Sequence, residues 1–300
     1  MLHINPTKEA IEFHREKILK LFEETINKGY ILRKKIQKKL SKEFLVFLDK
    51  YKYELISARP DRLLQISQEF EKKRISTYQL KLIKSFFIQT GYKNFPNKEF
   101  LNLLGIDTCI YCNKNYTLDL DNLNNARAEL DHWFPKETYP ILALSFYNLI
   151  PSCHSCNHIK HNNAPEGGWD NALQNINHPY LEDKTSTFSF SYFFTSLNQP
   201  KAIIKSTSEK AKNTIAFNKI DKIYEAQSDR ELKDLLDLRY KYSQNYLNIL
   251  LNKTFTREFS MSKEEAYRMV FGIETKEEDY HKRPFSKFKK DIIDELLRNK

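Results

Sequence analysis

Four cysteines, all between positions 109 and 156, form two Cys-x-x-Cys pairs: Cys109-Ile-Tyr-Cys112 and Cys153-His-Ser-Cys156. Each pair presents two thiols on one tight turn, and four thiolates can close a tetrahedron around zinc. A closed tetrahedron leaves no position for substrate, so the Zn²⁺ predicted here is structural. The first residues lack the cationic and apolar blocks of a secretory leader, so the expected address is cytoplasmic. In that compartment, paired cysteines point to a metal rather than to disulfides. The alternative is two unrelated reduced pairs with no metal. His154, inside the second pair, is a spare ligand that could replace one thiolate.

Between the knuckles runs Glu129-Leu130-Asp131-His132-Trp133-Phe134-Pro135, then Asn148-Leu149-Ile150-Pro151, and Asn157 follows Cys156 directly. Hydrolysis of a phosphodiester requires a deprotonated water, a cation against the developing negative charge, and a stabilised leaving oxygen. His132 is the expected base, because imidazole titrates near neutral pH. Asp131 and Asn157 supply the oxygen ligands that Mg²⁺ prefers, with Mn²⁺ as the alternative ion. Glu129 shares a strand face with Asp131 and can tune the site or add a ligand. His161, four residues after Asn157, shares its helix face and can reach metal or phosphate. His158 is rotated about 100° from Asn157 and is expected to stand apart. Lys136 and Lys160 either hold phosphates or are solvated. Trp133, Phe134 and Trp169 are expected to pack rather than to stack on bases.

These pieces, from Cys109 to Lys160, resemble the HNH, or ββα-metal, nuclease superfamily. The likeness rests on the Asp-His pair with Pro135 three residues on, Asn148-Leu149 before the second knuckle, and the nine-residue offset from Asn148 to Asn157. It implies that Asn148 holds the loop that orients the base, and that zinc clamps the two halves of the site. The third position is Asn157 rather than His, as in the HNH domain of RNA-guided CRISPR nucleases. Tyr139-Pro140 ahead of Asn-Leu-Ile-Pro-Ser-Cys, inside a helical chain, is similar to HNH subunits of bacterial antiphage systems. Septu-type and retron-linked proteins, which work beside an ATPase, are examples.

The elements that must position these residues can be read from capping and periodicity. Thr7 caps a helix with apolar positions at Ile11, Ile18, Leu21, Phe22 and Ile26, ended by Gly29. A second is expected through Leu40, Phe44, Leu48, Tyr51 and Leu55, stopping before Pro60; Leu63, Ile66 and Phe70 mark a third. Ser76 opens a fourth that reaches Gly91, and Asn97 and Gly105 bracket a short fifth. Phe188, Phe190 and Tyr192 alternate as in a strand, and Ala202 to Ile204 form another. Helical patterns resume at Ser208 and run through Ile220, Leu232, Leu235, Tyr246 and Leu250, with a last helix from Ser286 to Leu297. The expected class is α+β, mostly helical. A basic helical region (1–105) and a C-terminal region of short strands then helices (186–300) flank a zinc-stapled HNH domain (106–185).

Net charge is +10, unevenly spread: residues 1–100 carry 22 Lys and Arg against 12 Asp and Glu, and residues 101–200 carry 5 against 10. Basic arms around an acidic centre suit a protein that grips a polyanion while central carboxylates hold metal, although solvated helix faces would look the same. Arg33, Lys34, Lys35, Lys38 and Lys39 are the densest basic patch. No apolar run is long enough for a membrane span. The sequence therefore predicts a metal-dependent DNA endonuclease of antiphage defence or restriction, with an ATPase or other defence subunit as a candidate partner. Two alternatives stay open: a zinc-knuckle nucleic-acid-binding or scaffold protein without catalysis, and an RNase toxin on the same core.

Overall fold

The computed structural model describes residues 1–117, 129–196, 199–241, 246, 249–250 and 261–298. It is mostly helical, with three separate two-stranded antiparallel sheets among the described residues. The first helix, α1 (Lys8–Lys28), starts where Thr7 accepts from the Ala10 amide and ends at Gly29 with φ 72°. Its buried stripe includes Ala10, His14, Ile18 and Phe22. The helix packs on α2 (Lys42–Ser57) and on a short helix, Asn97–Leu104, described below. A hairpin, β1 (Tyr30–Arg33) and β2 (Ile36–Lys39), separates α1 from α2. The capping signals did not predict this hairpin. Helix α2 starts only at Lys42, which leaves Leu40 ahead of its Ser41 cap. Pro60 opens α3 (Pro60–Glu71), and Ser76 caps α4 (Thr77–Ser85).

The helix expected to run from Ser76 to Gly91 widens into a π-turn over Phe86–Gly91. Gly91 is what lets this turn approach the Leu144 segment: a Cβ there would stand 2.5 Å from a Leu144 methyl. The widened turn delivers Tyr92 to the centre of the molecule, and α5 (Asn97–Leu104) follows, ended by Gly105.

The centre holds β3 (Glu129–His132) paired with β4 (Leu149–Ser152), in a register that sets Asp131 opposite Ile150 and His132 opposite Leu149. Helix α6 (His154–Lys160) follows at once, and a short α7 (Ala172–Asn175) comes later. Beyond it, β5 (Ser189–Ser196) pairs with β6 (Gln199–Lys205), as the aromatic alternation predicted. The long helical pattern expected after Ser208 is broken into α8 (Glu209–Phe217), α9 (Ile220–Glu225) and α10 (Lys233–Lys241). Lys219, at φ 54°, makes the first break. The run expected through Tyr246 and Leu250 falls largely outside the described residues. Helices α11 (Lys263–Phe271) and α12 (Ser286–Arg298) complete the described chain, the latter packed on β5. No helix among the described residues is long and apolar enough to cross a membrane.

Two histidines lie inside this core. His14 is enclosed by the rings of Phe95, Phe100 and Phe146, and burial pushes its pKa down to about 3. His178 packs on Trp133 and accepts from the Tyr180 amide at Nδ1; burial likewise takes it to about 3. Between pH 6.5 and 3 the unfolded chain therefore binds protons that the folded chain refuses, so stability is present above that window and lost as pH falls through it. Each buried ring that stays neutral while its unfolded counterpart charges costs about 1.4 kcal/mol for every pH step of one, or on the order of 2–3 kcal/mol by pH 4.5. The melting temperature is expected to drop steadily from pH 6.5 to 4.5. His14→Leu should make that slope shallower; an unchanged slope would mean that His14 is not the titrating group.

Candidate active site and metal centre

The two knuckles meet. Cys109, Cys112, Cys153 and Cys156 are all buried, and their sulfurs lie within 4.8 Å of one another. A backbone bond ties the two segments, the Ile110 amide donating to the Pro151 carbonyl, and within the first knuckle the Lys114 amide donates to the Cys112 sulfur. The three neighbouring thiols and burial drive the Cys156 thiol up, while hydrogen bonds with Cys109, Cys112 and Cys156 hold Cys153 down. Four thiolates cannot ionise side by side in a buried site without a cation among them. Sulfur donors, closure and burial all fit a soft, tetrahedral ion such as zinc. His154 is not in the cluster; it is exposed and donates from Nδ1 to Glu129 Oε1 at 2.8 Å.

Around β3 and α6 opens a cleft of about 590 Å³, lined by Glu129, Asp131, His132, Asn157 and His161 among others. The expected base and oxygen ligands thus share one cavity, whereas Asn148 is fully buried and does not line it. Asn148 staples the loop after β3. Its Oδ1 accepts from the Phe134 amide at 2.7 Å, and its Nδ2 donates to the Phe134 and Leu142 carbonyls. The next carbonyl in that loop, Ala143, lies 3.1 Å from His132 Nε2. A carbonyl only accepts, so Nε2 carries the hydrogen and Nδ1 keeps a lone pair. Burial, then Lys136 and more weakly Lys160, holds the His132 pKa well below the usual histidine range, against the opposing pull of the Ala143 carbonyl. Burial and the two lysines thus favour the neutral ring.

Lys160 differs from both of its expected roles. It neither holds phosphate nor meets solvent: its side chain is 1% exposed. It donates to the His132 carbonyl at 2.7 Å, and its ammonium lies 3.0 Å from Asp131 Oδ2. Tyr111 donates to the same carboxylate oxygen at 2.6 Å. Asp131, the expected metal ligand, is therefore already charge-compensated, and a cation there would share it with an ammonium. Glu129 is the more open carboxylate. Its Oε2 accepts from Asn157 Nδ2 at 2.6 Å, which leaves the Asn157 carbonyl oxygen unused by that bond. These oxygen donors suit a hard cation.

His158 also departs from expectation, for it lines the cleft with His154 and His161. Its ring stacks 6.1 Å from His154 and stands 6.2 Å from His161, whose backbone is held at φ 42°. The cleft spans more than one face of α6, so rotation from Asn157 does not remove a side chain from it. Lys136 also lines it. Trp133, Phe134 and Trp169 pack on one another as expected. Tyr92, which no sequence motif singles out, sets its ring 4.3 Å from His132 and donates to the Leu130 carbonyl. No local signal marks it, since only the π-turn brings it here.

Among curated proteins the chain is similar to the Septu protein PtuB of Bacillus thuringiensis, at 33% identity over 75 residues. The match covers 24% of this chain, which spans about a quarter (27%) of the length of that relative. No known protein-family profile matches the chain, and no solved structure matches it.

Two outcomes are expected. Cys153→Ser should lose bound zinc and its share of folding energy, which for structural zinc is on the order of 10 kcal/mol. Elemental analysis beside thermal melting reads both, and wild-type protein purified without chelator yet free of zinc would refute the site. Lys160→Met should cost about 3–5 kcal/mol, because it leaves a buried carboxylate unpaired. Lys160→Met combined with Asp131→Asn should recover much of that in a denaturant titration. Strictly additive losses would show that the two side chains do not interact.

Proposed function

We propose that the chain is a metal-dependent HNH endonuclease that hydrolyses phosphodiester bonds in DNA. The observation that carries this reading is the state of His132: a neutral ring whose Nε2–H is committed to the Ala143 carbonyl, leaving Nδ1 as the base. Unlike the core histidines His14 and His178, His132 lines the cleft together with Glu129, Asp131 and Asn157. The succession of β3, β4 and α6, with one knuckle ahead of β3 and the other where β4 passes into α6, supports a ββα-metal arrangement. Similarity to the Septu protein PtuB supports a place in an antiphage system; an ATPase or another defence subunit as partner is what the sequence resemblance implies.

In this reading His132 Nδ1 takes a proton from water. The hydroxide attacks phosphorus in line, and the leaving oxygen departs on the opposite side. Asn148 acts through the loop, holding the Ala143 carbonyl so that the ring cannot turn. Lys136, at the mouth of the cleft, draws the phosphate in. Glu129 and Asn157, with Asp131 behind them, would hold a Mg²⁺ or Mn²⁺ ion that offsets charge on the transition state. Neither knuckle cysteines nor their zinc touch substrate.

Supercoiled-plasmid nicking across a Mg²⁺ titration tests this. His132→Ala should keep its zinc and its fold, at some cost in melting temperature, but lose about 10²–10⁴-fold in rate. Glu129→Gln should raise the Mg²⁺ needed for half-maximal activity on the order of tenfold, with the rate partly restored at saturation. A folded His132→Ala protein that nicks at the wild-type rate would overturn the assignment. Cleavage of RNA but not of DNA would turn it towards the RNase alternative.

A further inference from the structure

Between Glu24 and Glu43 the chain carries seven Lys and Arg residues and no carboxylate. The centre of this stretch is the β1–β2 hairpin, with Lys34-Lys35 as its two-residue turn. Both lysines have positive φ, 49° and 65°, the pattern of a type I′ turn. Asn-Gly makes that turn without strain, whereas a long L side chain crowds its own carbonyl there. Backbone strain of this kind persists where the side chains it displays are needed. Neighbouring helices neutralise their lysines, as Lys28 with Glu24 and Lys52 with Asp49. Arg33, Lys34, Lys35, Lys38 and Lys39 form no ion pair among the described residues.

The apolar residues of the hairpin sort into root and tip. Ile31 is buried, as is Leu40 just beyond β2, and Gln79 donates to the Lys39 carbonyl, so the base is fixed to α4. At the tip, Leu32 and Ile36 are 61% and 58% exposed. The register pairs Arg33 with Ile36 and Leu32 with Gln37, which sets Leu32 and Ile36 on opposite faces. Each face of the ribbon thus shows one bare aliphatic side chain: Ile36 with Arg33 and Lys38 on one, Leu32 with Lys39 on the other, and the turn lysines Lys34 and Lys35 at the tip between them.

We propose that this hairpin is a wedge that enters a groove of duplex DNA, with Arg33, Lys34 and Lys35 on phosphates and Leu32 and Ile36 against base pairs on either side. A two-stranded ribbon fits a DNA groove, and apolar side chains inserted between base steps unstack them. An acidic protein surface would account for the cations but not for apolar side chains on both faces. The inference rests on the proposed DNA substrate, but it concerns binding and is tested apart from cleavage.

The test uses the full chain, a 30-base-pair duplex containing 2-aminopurine, and buffer without added divalent metal. Wild-type protein should bind with steep salt dependence and raise 2-aminopurine fluorescence. Lys34→Ala with Lys35→Ala should flatten the slope of log affinity against log salt by about two. Leu32→Ser with Ile36→Ser should keep that slope, lose about tenfold in affinity and abolish the fluorescence rise. All these residues are exposed, so unchanged melting temperatures are the fold control. Wild-type affinity in both double variants would overturn the proposal. So would a fluorescence rise that survives the loss of Leu32 and Ile36. Loss of binding to phosphatidylserine vesicles, with duplex binding intact, would assign the tip to a lipid surface instead. Duplex binding that depends on the hairpin, in a protein that never nicks DNA, would sink the nuclease reading and leave the wedge standing.

Discussion

Lys160 carries an ammonium group that solvent does not reach, and the centre of the molecule is arranged around it. Moving a charge out of water costs several kcal/mol, and only a full set of partners offsets that. The partners here are the Asp131 carboxylate, the His132 carbonyl and the face of Trp169. Tyr111 completes the carboxylate from the first knuckle. The network ties the last turn of α6 to the end of β3, and therefore Asn157 and His158 to Glu129 and His132. Loosening it would separate the two walls of the cleft.

A second, uncharged network fixes the opposite side. Asn148 is fully buried and spends both ends of its amide on the loop that follows β3. That loop offers the Ala143 carbonyl to His132, which decides the tautomer, and Leu144 from the same loop packs on Gly91. The π-turn that ends at Gly91 brings Tyr92 edge-on to the His132 ring. The His132 ring is thus held by a carbonyl on one side and an aromatic ring on the other.

The first knuckle is where the flanking regions dock. The Leu2 amide donates to the Ile110 carbonyl, and the Tyr224 hydroxyl to that of Cys112 at 2.7 Å. Asn113 donates from its side-chain nitrogen to the Tyr280 and Arg283 carbonyls, and its backbone carbonyl accepts from the Phe285 amide. A cation in the cysteine cluster would therefore steady more than the strands beside it. Segments far apart in sequence use the knuckle backbone as their anchor.

Residue order alone was enough for much of what is decided within a turn or two of chain. Thr7 and Gly29 bound α1, Ser76 starts α4 and Gly105 ends α5, because caps and left-handed glycines act over a few residues. The cysteine spacing predicted a cluster for the same reason, since two thiols on one tight turn are already half a site. The β1–β2 hairpin escaped because Lys34-Lys35 lacks the Asn-Gly signal of its turn. Lys160 read as a solvated or phosphate-binding side chain, since lysine burial depends on a carboxylate that arrives from 29 positions away. The pairing of Asp131, the place of His158 in the cleft and the approach of Tyr92 belong to the same class. Tertiary packing decided each of them, because desolvation and long-range hydrogen bonds come into being only when distant segments meet.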